Sequence, residues 1–188
     1  MTETELVPRL REGDEDAFRE LVTAFRDRVY NTVLGIVQHH EDAEDLAQDV
    51  FIQVYRSIHS FAGNSTLSTW IYRIAVNRSL DHLRSKKRQK RFGSISGFFG
   101  KDDEPMDIAT EFHHPGVAAE QKENAAILFN AVKKLPDNQQ AAFVLNKAEG
   151  LSYNEIGEVL GISESAVDSL LQRAKQNLRK LIDKKTIL

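Results

Sequence analysis

The sequence contains no cysteine, so disulfides, thiolate metal sites and cysteine nucleophiles are excluded together. Four prolines and ten glycines among 188 residues rule out collagen-like and loop-dominated folds. No window reaches the roughly 20 apolar residues that a membrane helix requires. Met1–Leu10 carries Glu3 and Glu5 where a signal peptide would have a basic start and an apolar run. The chain is therefore expected to be cytoplasmic, with no membrane span of its own. A net positive charge is also lacking: 25 Lys+Arg against 28 Asp+Glu give -3. A protein that holds DNA by bulk electrostatics alone is clearly basic. Any DNA binding here must be local, or a partner must help.

What is present is helix. The chain is 41% hydrophobic and 28% charged, enough to build a core and stay dissolved. From Asp14 to about Gln38, Phe18, Leu21, Val22, Phe25, Val29, Val33, Ile36 and Val37 recur at helical spacing, with Asp14 or Asp16 as cap. A second helix, about Glu41 to Ile58, stacks Ala43, Leu46, Ala47, Val50, Phe51 and Val54. A third runs from about Leu67 into the basic run near Lys90 and carries Trp70, Ile71, Ile74, Leu80 and Leu83. Phe92 to about Val117 then holds six of the glycines and prolines with little periodicity, plus an acidic patch over 101–107, and reads as a linker. Helical spacing resumes near Ala119 and is closed by Pro136. Asp137-Asn-Gln-Gln140 is expected to form a capping box, with Gln140 reaching back. The expected architecture is all-α: an N-terminal helical domain over 1–91, a flexible linker over 92–118, and a C-terminal helical domain over 119–188.

The C-terminal domain has the layout of a helix-turn-helix. Ser152-Tyr-Asn-Glu155 is a second capping box opening a short helix, Gly161 makes the turn, and Ser163 caps a long last helix. Val167, Leu170 or Leu171, Ala174 and Leu178 face inward. Glu164, Ser165, Asp168, Ser169, Gln172, Arg173, Lys175 and Gln176 face out. Gln and Arg reach base edges, and Arg and Lys reach phosphates. The Ser152 cap leaves helix N–H groups aimed outward, which suits a phosphate. The plainer reading is a helical hairpin with a polar outer face.

Three features mark the N-terminal domain. Glu41, Asp42, Glu44, Asp45 and Asp49 form an acidic face uninterrupted by any basic residue. It is either a solvated helix face or a docking face for a basic partner, with Leu46 and Gln48 adding contacts. Next, the loop from Ser60 to Thr69 is rich in hydroxyls and leads into Trp70. Phe61 and Trp70 can stack on unpaired bases, or simply fill the core, while Asn64, Ser65 and Thr66 can hydrogen-bond a base edge. Last, six of the eight residues of 84–91 are basic, among them Arg84, Lys86, Lys87 and Arg88. They stabilise a helix C-terminus or contact phosphates. No Gly-rich phosphate loop or nucleophile elbow occurs. The pairs His39-His40 and His113-His114 diverge on a helix and make poor joint ligands. No catalytic residue, cofactor or metal is expected.

Asp42-Ala-Glu-Asp-Leu-Ala-Gln-Asp-Val-Phe51, Thr69-Trp-Ile-Tyr-Arg-Ile-Ala-Val-Asn77, Leu135-Pro136 and Glu149-Gly-Leu-Ser-Tyr-Asn-Glu-Ile156 together resemble bacterial sigma factors, most closely the two-domain extracytoplasmic-function type. The resemblance implies a non-enzymatic factor that binds core RNA polymerase, directs it to specific promoters and assists melting. It implies polymerase contacts at Asp45, Gln48 and Asp49. It implies capture of a flipped base of the melted non-template strand by Asn64, Ser65 and Thr66, with Arg73, Asn77 and Arg78 on the same minus-ten element. Ser165, Ser169, Gln172 and Arg173 would read the minus-thirty-five duplex. An anti-sigma factor is implied as a further partner. Asp168 and Leu170 depart from the family pattern, and Asp168 would repel phosphates yet could accept from a cytosine amine. The alternative is a helix-turn-helix regulator that dimerises on palindromic sites and needs no polymerase.

Overall fold

A computed structural model describes residues 3–96 and 119–186. Eight α-helices and one 3-10 turn occur among the described residues, and no strand. Short α1 (Glu3–Arg11) precedes α2 (Glu15–Val37), α3 (His40–Ser57) and α4 (Leu67–Ser96); α5 (Ala119–Val132), α6 (Asp137–Lys147), α7 (Tyr153–Leu160) and α8 (Glu164–Thr186) follow. The periodicity placed α2, α3 and the start of α4 within a residue or two. It passed over α1. Helix α4 also continues through Ser96, into the stretch read as linker. The rest of that stretch, 97–118, lies outside the described residues.

Local chemistry sets the boundaries. Asp14 caps α2 by accepting from Asp16 N and Ala17 N, and Arg9 holds its carboxylate at 2.7 Å. The Arg9 hydrogen bond and these backbone bonds keep the Asp14 carboxyl below its ordinary range. His39 caps α3 through Nδ1, which accepts from Asp42 N at 3.3 Å. The expected capping box at α7 forms: Ser152 Oγ accepts from Glu155 N, and Glu155 Oε2 accepts from Ser152 N. Gly161 ends α7 in the left-handed region, at φ 68°, where Cβ-bearing residues are disfavoured.

One expectation fails. The residue before α6 is Pro136, and no side chain caps the helix. Gln140 does not reach back. Its Nε2 donates to Gly35 O at 3.1 Å and Ile36 O at 2.8 Å, fully buried. The carbonyls at the end of α2 outcompete the local cap because burial there leaves them without water.

The apolar side chains form two clusters. One joins α1–α4 around Leu21, Val29, Val33, Val50, Val54 and Ile71. The other joins α5–α8 around Leu145, Ile156, Val167, Leu171 and Ala174. This second cluster also takes in Ile36, Tyr72, Val76 and Leu80 from α2 and α4. The two halves are therefore packed on one another. The inward choice at 170/171 falls to Leu171, which is fully buried, while Leu170 is half-buried.

Candidate nucleic-acid interface

Helix α3 presents its carboxylates in two ways. Glu41, Glu44, Asp45 and Asp49 are exposed, as is Gln48, whereas Leu46 is buried in the core. Leu46 can shape a docking face only from beneath it. Asp42 is set apart as well. Its Oδ2 receives Lys86 Nζ at 2.5 Å, and the half-buried His82 places Nε2 3.2 Å from the same oxygen. Burial pushes the Asp42 carboxyl up, but Lys86, His82 and His39 pull harder, and it sits below the ordinary range. Asp42 ties α3 to α4, while Glu41, Asp45, Gln48 and Asp49 stay open and Glu44 Oε1 lies 3.5 Å from His40 Nδ1.

The loop before α4 is more structural than its composition suggested. Thr66 Oγ1 accepts from Thr69 N at 3.2 Å and bonds the hydroxyls of Ser68 and Thr69, each at 2.9 Å. It is the cap of α4. Ser65 Oγ leans on Thr66 O at 3.4 Å. Glu3 Oε1 accepts from Leu67 N at 2.7 Å, so the unforeseen α1 secures the start of α4. Arg11 Nη2 donates to Phe61 O. Phe61 is buried, and Trp70 packs on it at 5.4 Å between ring centroids. The rings fill the core side of the loop. Asn64 is exposed, and its amide has no hydrogen-bond partner among the described residues.

The basic end of α4 is partly neutralised. Arg84 pairs with Asp81 at 2.9 Å, Lys86 with Asp42 and Lys87 with Asp137 at 2.6 Å, while Arg88 is exposed. Arg78 donates to Gln53 Oε1 at 2.8 Å. Arg73 is turned away from solvent: its Nε and Nη2 both donate to Glu158 O on α7, at 3.1 and 2.6 Å.

The turn between α7 and α8 has the expected layout. Ser152, Ser165, Ser169, Gln172, Arg173, Lys175 and Gln176 are exposed and Asp168 half-buried. Asp168 Oδ2 accepts from Gln172 Nε2 at 2.9 Å. Its departure from the family pattern is thus met within the helix, at the cost of occupying a candidate base-reading amide. Ser169 Oγ donates to Ser165 O at 3.0 Å.

A buried polar group at the junction of the halves escaped sequence reasoning. The Glu149 side chain is 5% exposed. Its Oε2 accepts from Tyr72 Oη at 2.7 Å, and Arg28 Nε lies 3.5 Å away. Arg28 also sits 5.5 Å above the Tyr72 ring. Burial first, then the hydrogen bond to Glu149, pushes the Tyr72 hydroxyl far above its ordinary range. The signals were present but mute: Tyr72 and Glu149 stand in two of the quoted motifs, and Gly35 interrupts a long apolar helix. A cleft of about 520 Å³ lies beside this junction, lined by Asn77, Leu80 and Arg84 from one half and Leu160, Ser169 and Arg173 from the other.

Two family profiles match the chain: Sigma-70 region 2 over residues 21–89 and Sigma-70, region 4 over residues 125–178. The ECF RNA polymerase sigma factor SigW of Bacillus subtilis is 32% identical over 179 residues, 93% of each chain. The ECF RNA polymerase sigma-E factor of Haemophilus influenzae is 32% identical over 185 residues, 97% of this chain and 96% of its own. Among solved structures, CnrH in complex with the cytosolic domain of CnrY is similar with TM-score 0.68, at 22% identity, covering 95% of this chain and 96% of CnrH. RpoE of Bartonella quintana, in complex with the anti-sigma factor NepR, is similar with TM-score 0.67, at 23% identity, covering 88% of this chain and 96% of its own. These two likenesses concern the fold.

Proposed function

The chain belongs to the extracytoplasmic-function (ECF) RNA polymerase sigma factors, and from that premise we propose how its surfaces divide the work of directing the polymerase to promoters. The observation that carries the reading is the co-occurrence, in order, of sigma regions 2 and 4 with an open acidic face on α3 and an exposed outer face on α8. Asp45, Gln48 and Asp49 dock on a basic surface of core RNA polymerase. Leu46 supports that face from the core.

Asn64 holds an extruded base of the non-template strand. Opening a base pair costs a few kcal/mol, and a pocket for the flipped base offsets part of it. Ser65 and Thr66 order the loop, and Phe61 and Trp70 brace it. Arg73, Asn77, Arg78, Arg84, Lys86, Lys87 and Arg88 follow the strand along α4. Ser165, Ser169, Gln172, Arg173, Lys175 and Gln176 face the upstream duplex, with the α7 N-terminus at Ser152 on a phosphate. The net charge of -3 fits a factor whose DNA affinity is supplied largely by polymerase. The factor works in the cytoplasm and catalyses no reaction. Because RpoE is found with the anti-sigma factor NepR, and CnrH with the cytosolic domain of CnrY, an anti-sigma factor is proposed as partner here.

The test is a run-off transcription assay with core RNA polymerase. Added chain is expected to create new start sites. Asp45→Lys with Gln48→Lys is expected to lower polymerase affinity at least 100-fold, as like charge replaces opposite charge across an interface, with the melting temperature unchanged. Undiminished capture of polymerase by that variant refutes the docking face. A chain that instead binds palindromic DNA as a symmetric dimer, without polymerase, refutes the whole assignment.

A further inference from the structure

The loop before α4 is tied at both ends to α1, which is remote in sequence. Glu3 Oε1 accepts from Leu67 N at 2.7 Å, 64 positions away, and Arg11 Nη2 donates to Phe61 O, 50 positions away. Glu3 and Arg11 are the first and last residues of the 9-residue α1, about 12 Å apart along a helix that rises ~1.5 Å per residue. The helix is seated firmly. Its Leu6, Val7 and Leu10 are buried in the core that also holds Phe61, Leu67 and Ile71. Arg9 and Asp14, 2.7 Å apart, close the turn into α2.

Between the two tied ends lie Ala62, Gly63, Asn64, Ser65 and Thr66, all exposed except the half-buried Ser65. Gly63 takes φ 73° with open space around it. Thr66 serves the α4 start by accepting from Thr69 N. Leu67 N is another of the donors that a helix start leaves unpaired, and Glu3 takes it. Among the described residues nothing hydrogen-bonds the Asn64 side chain. Its place is set by how the loop ends are held, and α1 holds them.

Electrostatics alone argues against Glu3. It puts a carboxylate beside a loop that meets a strand of phosphates, at a helix start where a phosphate would itself be welcome. A geometric role accounts for it. Resting on the function proposed above, we propose that α1 is a brace for base capture, with Glu3 and Arg11 as its positioning residues. They keep Leu67 N and Phe61 O at a fixed separation. The loop then meets the extruded base already ordered, and less conformational freedom is lost on binding. Neither side chain needs to touch DNA.

The test is binding of a non-template-strand oligonucleotide, taken from a promoter that the assembled polymerase uses, by the full chain in complex with core RNA polymerase. Glu3→Ala sets two effects of opposite sign against each other. If charge alone matters, losing a carboxylate beside the strand strengthens binding. If α1 is a brace, binding weakens by about tenfold, as the ordering of the loop returns to the binding step. Weakening is expected. Arg11→Ala is expected to act in the same direction. Glu3→Gln keeps an acceptor and is expected to bind as wild type does. In an Asn64→Ala background, Glu3→Ala is expected to add nothing, because the brace acts through that residue. Undiminished polymerase capture through α3 reports that the variants remain folded.

Hydrogen exchange at the Leu67 amide of the free chain reads the brace without DNA, and it is expected to quicken at least tenfold in Glu3→Ala. Tighter or unchanged strand binding by Glu3→Ala overturns the inference. So do losses that add to those of Asn64→Ala, or a Leu67 amide that exchanges as in wild type. A wild-type complex that captures no single strand refutes the proposed function instead, and the Leu67 amide still reports on the brace.

Discussion

The acidic face of α3 and the outer face of α8 are both exposed polar surfaces on amphipathic helices, but the fold treats them differently. Asp45, Gln48 and Asp49 look into open solvent, and their neighbour Asp42 is taken out of the face by Lys86, with His82 beside it. On α8, Ser169 and Arg173 look across a cleft at α4, and Gln172 is held by Asp168. The contrast separates two uses of charge. On α3 the polar side chains are left open to solvent, while on α8 they are bonded internally or set across a cleft from another helix. Exposure alone does not distinguish them; the identity of the facing surface does.

The largest perturbation that would sharpen this comparison is in the C-terminal core. Leu171 is fully buried among α6–α8, and Leu171→Ala is expected to cost about 3 kcal/mol through lost transfer energy and a residual cavity. Denaturant unfolding should show the loss, and polymerase capture through α3 should survive it. Capture that fails together with the α8 half would dissolve the distinction between the two faces.

Next comes the junction. Tyr72→Phe deletes the hydroxyl that donates to Glu149 and leaves a buried carboxylate with Arg28 alone, at a cost of about 1–3 kcal/mol. Thermal melts should register the cost, and Glu149→Gln, which removes the charge and keeps a hydrogen-bonding group, should recover part of it. A Tyr72→Phe variant as stable as wild type would show that the pair contributes nothing to the junction.

The smallest effect is in acid. Asp42 and Glu155 are both held below their ordinary values of 3.8 and 4.5. For Glu155 the Ser152 hydroxyl is the chief cause, followed by the Ser152 backbone. A depressed folded pKa means that the stabilising contribution is fully present above the ordinary value and is lost as pH falls through the folded one. Asp42→Asn is therefore expected to lower the melting temperature at neutral pH, with the gap from wild type closing below about pH 4. A gap that persists unchanged into acid would mean that Asp42 acts through packing and not through charge.

Much of this molecule is written locally. The positions of α2, α3 and the start of α4, the Ser152 capping box, the Gly161 turn and the outward set on α8 all follow from periodicity and caps within a few residues. So did the acidic face and the candidate reading loop. Other assignments needed the third dimension. Thr66 was legible as a polar loop atom, but only the fold shows it capping α4. Lys86 and Lys87 read as phosphate contacts, and only the fold shows that Asp42 and Asp137, each more than forty residues away, pair with them.

The amino-acid order by itself determined an all-helical chain with a turn-linked pair of helices near its end, because helix formation and capping are governed by neighbours a few residues apart. The tertiary structure alone decided what Gln140, Tyr72 and Glu149 do. Each could bond a near neighbour, but a buried carbonyl or carboxylate without water is the costlier group to leave unpaired. Partners separated by up to 105 residues therefore outrank adjacent ones.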